Sequence, residues 1–100
     1  MSRFDIYHYS KDIPFVIDVQ ANLLGDLKTR VVIPLLLRAE AKHESLPKLK
    51  PIITLGKKDY VLMTTDIGTL RISDLGERAG NAEGQRQIIV DAIDFLFQGF

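Results

Sequence analysis

Apolar and polar residues alternate at period two through Phe4-Asp5-Ile6-Tyr7-His8-Tyr9, which predicts a half-buried strand. Ser10-Lys11-Asp12 is turn material. Phe15-Val16-Ile17-Asp18-Val19-Gln20 is β-branched and aromatic, and its spacing from the first strand predicts a hairpin. Ala21 to Thr29 breaks the pattern with Asn22, Gly25 and Asp26 as loop residues. Leu23 and Leu24 sit inside this polar loop; one of them can plug a core, both rarely.

The most apolar run is Val31-Val32-Ile33-Pro34-Leu35-Leu36-Leu37. Val31 to Ile33 reads as a buried strand, and Pro34 places it at an edge or bends it. Arg38 to Lys50 is charged and loop-like, with a short helical turn around Ala39–His43. Ile52–Leu55 and Tyr60–Thr65 read as a second hairpin around Gly56-Lys57-Lys58-Asp59, and Thr69–Ile72 as a further short strand. Gly76 to Gly84 reads as a flexible glycine linker, with Asn81 capping a helix that starts near Ala82. From Glu83 to Leu96 the period becomes helical. Phe95, Ile88, Ala92, Leu96, Ile89 and Ile93 form one apolar arc. Val90 and Phe97 widen it beyond what one core face covers, so the helix end is expected to bury against a second subunit or present a binding patch. Six or seven short strands and one C-terminal helix predict a mainly β fold, a small barrel or strongly bent sheet with a helix across it.

Composition narrows the function. One hundred residues suit a single domain over 1–100, and 46% hydrophobic content argues for a folded chain. The absence of cysteine excludes a disulfide scaffold, a thiol nucleophile and a cysteine metal site. No apolar run approaches the roughly 20 residues of a membrane helix, and no signal-type segment follows Met1, so the expected location is cytoplasmic, with no membrane contact. Thirteen basic residues balance thirteen acidic ones. A protein that grips many phosphates usually carries a basic excess, and this chain has none.

Catalytic motifs are missing. Gly76–Gly84 has no Lys-Ser/Thr pair of a phosphate loop. The two histidines, His8 and His43, read as ordinary strand and loop residues, and neither a metal nor a cofactor is expected. The serines lie in no nucleophile elbow. Met63-Thr64-Thr65-Asp66 reads as cross-strand threonines and a turn-starting aspartate rather than a phosphate-orienting group. The chain closes on Phe97-Gln98-Gly99-Phe100, and two aromatics at an end that normally frays point to docking.

Phe15–Gln20, Leu23-Leu24, Arg30–Leu35, Met63–Asp66, Gly76-Glu77 and the aromatic-x-Gly-apolar ending stand in an order and spacing that resemble the CcdB family, over nearly the whole chain. That family comprises toxins of bacterial toxin–antitoxin modules that poison DNA gyrase. The resemblance implies an SH3-like barrel of antiparallel strands, a small extra sheet and a C-terminal helix. It implies a homodimer whose helices meet near the twofold axis. It implies binding of the gyrase A subunit through Leu23, Leu24, Asp94, Phe97, Gln98, Gly99 and Phe100, which traps the gyrase–DNA cleavage complex without catalysis by the toxin. It further implies neutralisation by the disordered C-terminal segment of a cognate antitoxin, and contact with operator DNA only through that complex. The family pattern carries Trp at Gln98, Asn at Asp94 and Ile at Phe100. Two alternatives accompany this reading. One is a CcdB-like protein with lost or weakened poisoning that retains antitoxin binding. The other is a same-fold endoribonuclease, for which Arg30, Arg71, Asp66 and Thr65 are the nominees.

Overall fold

A computed structural model of the chain describes residues 2–24, 26–41 and 43–99, with Leu23 described for its backbone alone. The described residues form seven strands and one α-helix: β1 (Asp5–His8), β2 (Phe15–Asp18), β3 (Thr29–Leu37), β4 (Ile52–Leu55), β5 (Lys58–Leu62), β6 (Gly68–Arg71), β7 (Arg78–Asn81) and α1 (Arg86–Gln98). The strands form an antiparallel half-barrel in the order β4-β5-β3-β2-β1-β7. β6 branches from this path by pairing with β3 and makes the small extra piece of sheet.

Period two sorts the side chains onto two faces. Ile6, Ile17, Ile33 and Leu35 join Phe4, Ile53 and Leu62 in the main core, which Ile89 and Ala92 of α1 close. Tyr7, Val16 and Val32 point the other way, into a second cluster with Ile13, Leu70 and Leu75. Because both faces are covered, the central strands read as nearly continuous apolar runs.

Both expected hairpins form, with Ile6 opposite Ile17 and Ile53 opposite Tyr60. The second, however, turns on Gly56-Lys57 alone, and its strand β5 runs from Lys58 to Leu62. Thr64–Asp66 is a 3-10 turn in place of the expected strand end with cross-strand threonines. Three further local expectations are corrected. β3 is central and runs through Pro34 without ending. It pairs with β6 as far as Val32 and with β5 from Leu35, so the missing proline donor falls where β3 changes partners. The supposed linker holds β7, whose Gly80 sits opposite Ile6 of β1. Gly76 is needed there for close approach: its N–H donates to the His8 carbonyl at 2.7 Å, and a Cβ would lie 2.7 Å from that oxygen. Asn81 caps a 3-10 turn, accepting the Glu83 N–H at 2.7 Å, and the α-helix starts only at Arg86. The turn after β3 has one helical hydrogen bond, Ala41 N–H to the Leu37 carbonyl at 3.0 Å.

Buried polar side chains interrupt this apolar packing on the second face, around Asp5 and around Asp18. The Asp5 carboxylate joins β1 to β7, accepting from Arg78 Nε and Asn81 Nδ2, each at 2.9 Å, and from the Ser2 N–H at 2.8 Å. Asp18 and Arg30 form a fully buried ion pair, Nε to Oδ2 at 2.8 Å.

Candidate target-binding site

The expected site lies on two elements. The first is the loop between β2 and β3. Asn22–Leu24 forms a 3-10 turn, with the Leu24 N–H donating to the Ala21 carbonyl at 3.0 Å. Asn22 ties the turn to the N-terminus by accepting the Arg3 N–H at 2.7 Å. Leu24 is 48% exposed, so it is not a core plug. Leu27, which the sequence reading passed over, is 51% exposed in the same loop. Its signal was an isolated leucine between Asp26 and Lys28.

The second element is the C-terminal half of α1. The stripe that reaches the core is narrow: Ile89 and Ala92 are buried, with Val90, Ile93, Phe95 and Leu96 partly covered. The arc expected from the sequence is wider than this stripe, and its surplus stands in water. Ile88 is 45% exposed and Phe97 is 70% exposed. Asp94, Gln98 and Gly99 are exposed as well. Asp94 and Asp91 line a cleft with Lys48 and Phe95. No basic residue stands in the last turn, so the helix end combines carboxylates with the negative end of the helix dipole. Gly99 ends the helix in the left-handed region at φ 78°, donating its N–H to the Phe95 carbonyl at 2.9 Å. Open space surrounds the position a Cβ would take, so within this chain it is backbone conformation, not crowding, that calls for glycine. Phe100 and the Leu23 side chain lie outside the described residues.

Within the chain α1 lies on the main core through Ile89 and Ala92, and its backbone runs near the 3-10 turns Thr64–Asp66 and Glu83–Gln85. Each part of the site sets a leucine or a phenylalanine in water.

The residues nominated for phosphate chemistry are not gathered together. Arg30 is sealed in its pair with Asp18. Burial pushes the Asp18 carboxyl up, against hydrogen bonds from Arg30 and the Gln20 N–H. Arg71 is exposed and turned to Asp74, Nε to Oδ2 at 3.1 Å. Thr65 and Asp66 belong to a turn that the Asp66 N–H closes on the Met63 carbonyl at 2.9 Å. Among the described residues no three His, Asp or Glu side chains converge to hold a metal ion. His8 stands at a strand end with its ring 4.9 Å from Phe15, and His43 is exposed in a loop. Among the described residues no helix is long and apolar enough to cross a membrane.

A bent antiparallel half-barrel with one C-terminal helix is the build of a CcdB-type toxin. The family model described as "CcdB protein" matches residues 3–99, and the chain belongs to the CcdB family. Two solved structures share the fold. An endoribonuclease from Mycobacterial species superposes with a TM-score of 0.74 at 17% identity, over 97% of this chain and 90% of that one. An endoribonuclease in complex with its cognate antitoxin, also from Mycobacterial species, gives a TM-score of 0.70 at 16% identity, over 97% of this chain and 92% of that one.

Proposed function

We propose that this chain is a non-catalytic toxin that binds the gyrase A subunit and holds the gyrase–DNA cleavage complex open. The observation that carries the reading is Phe97, 70% exposed at the end of a helix whose buried residues are Ile89 and Ala92. An aromatic held in water at a protruding end has apolar area free to bury in a partner's pocket, and such anchors carry much of the energy of an interface. Exposed Leu24 in the β2–β3 loop supplies a second apolar contact. Membership of the CcdB family supports the assignment. The protein acts as a homodimer, in which Ile88 and the flank of the helix are covered by the second copy. A cognate antitoxin neutralises it, and operator DNA is contacted through that complex.

The test is a gyrase DNA-cleavage assay with purified protein, wild type beside Gln98→Trp. Linear DNA accumulating with the wild type is the expected outcome and supports poisoning by Phe97 and the residues around it. Cleavage with Gln98→Trp alone assigns the chain to the weakened class, with intact scaffold and a blunted end. Loss of one buried aromatic anchor is worth roughly 2–4 kcal/mol, enough to separate the two. No cleavage from either protein overturns the reading. The same preparations are then tested on RNA, because the endoribonuclease named above shares the fold. Against that second reading stands Arg30, which is buried in its ion pair and does not reach a phosphate.

A further inference from the structure

We propose that Gln20 is a positioning residue for the target-facing loop: its carboxamide acts as a surrogate peptide group that clamps Asn22–Leu24 onto β3. The proposal rests on the gyrase-binding reading for its function and on the hydrogen bonds for its geometry. β2 ends at Asp18, and the last backbone rung beyond it is the Val19 N–H to the Val31 carbonyl at 3.0 Å. The ladder then stops, yet the Val31 N–H is satisfied. It donates to Gln20 Oε1 at 3.1 Å. The other end of the same carboxamide, Nε2, donates to the Leu24 carbonyl at 2.9 Å. One buried side chain therefore spans the mouth of the loop and holds its turn from inside.

Gln20 is itself fixed. Its N–H donates to Asp18 Oδ1 at 3.0 Å, while Asp18 Oδ2 accepts from Arg30 Nε at 2.8 Å. The order of support runs from Arg30 through Asp18 and Gln20 to Leu24. This gives the buried ion pair a purpose: it orients the backbone from which the carboxamide reaches out. The loop needs such a device because Leu24 and Leu27 do not anchor it. Leu24 and Leu27 are about half exposed, at 48% and 51%. A loop that keeps apolar side chains in water without ordering must be ordered when it binds, and that ordering weakens affinity. The clamp orders it beforehand.

The full-length protein is compared with Gln20→Leu and Gln20→Glu. Amide exchange is read at Leu24 and Leu27, with Ile17 and Leu35 as core references, and affinity is measured for purified gyrase A subunit. For Gln20→Leu, loop amides are expected to exchange about tenfold faster while core amides hold, and affinity to fall about tenfold through lost preorganisation. Gln20→Glu is the conservative rescue. A protonated carboxyl both donates and accepts, whereas a carboxylate cannot donate to the Leu24 carbonyl. Burial at this position raises a carboxyl above its ordinary range, so its affinity is expected to recover in part as pH falls from about 8 to about 5, relative to wild type and Gln20→Leu, which share Asp18 and Arg30 as facing charges. Unchanged loop exchange in Gln20→Leu overturns the proposal. So does a loosened loop with undiminished affinity, and so does equal acceleration of the core amides, which makes Gln20 a residue of general stability. If Gln20→Leu does not fold, Gln20→Glu at the two pH values decides. If the wild type itself does not bind gyrase A, the target reading has failed, and loop exchange alone decides the clamp.

Discussion

Asp5 and Asp18 are acidic residues in strands whose charged partners stand far along the chain. Asp18 meets Arg30 across the β2–β3 pair, and Asp5 meets Arg78 and Asn81 from the far end of the chain. Burial works against the Asp5 carboxylate, but the hydrogen bonds from Asn81, Ser2 and Arg78 outweigh it and hold the group at about 2, below the ordinary 3.8. The same carboxylate, with burial as the larger cause, pushes Tyr7 up to about 12. A carboxylate whose folded-state pKa is depressed stabilises the fold above its unfolded value and loses that contribution as pH falls through the folded one. Unfolding free energies from urea titrations across the acid range should therefore drop between about pH 4 and pH 2, by on the order of 1–2 kcal/mol after allowance for the exposed Arg78 partner. Asp5→Asn should start lower at neutral pH and lose less over that window. An identical drop in both proteins places the acid sensitivity elsewhere. Phe4 is the other residue that only the fold explains. It is fully buried at φ 71°, held by its N–H on the Asp18 carbonyl at 2.6 Å and its carbonyl on the Ala82 N–H at 2.8 Å.

Among the elements, the two that carry the candidate site were legible and the one between them was not. The wide arc on α1 and the paired leucines in a polar loop were visible as apolar residues in excess of what a core face takes, and the structure leaves Phe97, Ile88 and Leu24 in water. β7 was hidden. Arg78-Ala79-Gly80-Asn81 has neither β-branched nor aromatic residues, and its strand exists because β1 offers it an edge, with Asp5 opposite Asn81. Propensity over four residues cannot report a partner more than 70 positions away, as with Arg78 and Asp5. The loop yields a prediction of its own. A Leu23→Asp, Leu24→Asp double variant should fold and dimerise with a melting temperature near that of the wild type, because an exposed Leu24 gives the core little. It should lose gyrase A binding at least about tenfold. Failure to fold would show that this pair belongs to the core.

For the whole molecule the question is what covers the far side of the helix. The main core is closed by Ile89 and Ala92, the second face by Leu70, Leu75 and Ile13. Neither reaches Ile88 or Phe97. A dimer that covers the helix flank while leaving its tip free would divide this surplus between two partners, the second copy and the target. Removing Gly99 and Phe100 tests the division. The truncated chain should still dimerise in sedimentation and bind its antitoxin, and toxicity in cells should be abolished. Full toxicity without these two residues would remove the helix end from the site.

The sequence by itself determined the class of fold and the apolar surplus from which the candidate site is read. Periods of two and 3.6 are properties of neighbouring residues, and so are a surplus of apolar positions and a family's order of short motifs. Tertiary structure decided what depends on residues far apart in the chain. It carried β3 through Pro34 by giving it one partner on either side of the missing donor. It made a strand of Arg78–Asn81 and withdrew Arg30 from solvent into a pair with Asp18. It turned Gln20 from the apparent end of a strand into the brace of a loop. Each of these is set by a hydrogen bond or contact across the sheet, and the free energy of such a contact belongs to both ends of it, never to the local sequence of one.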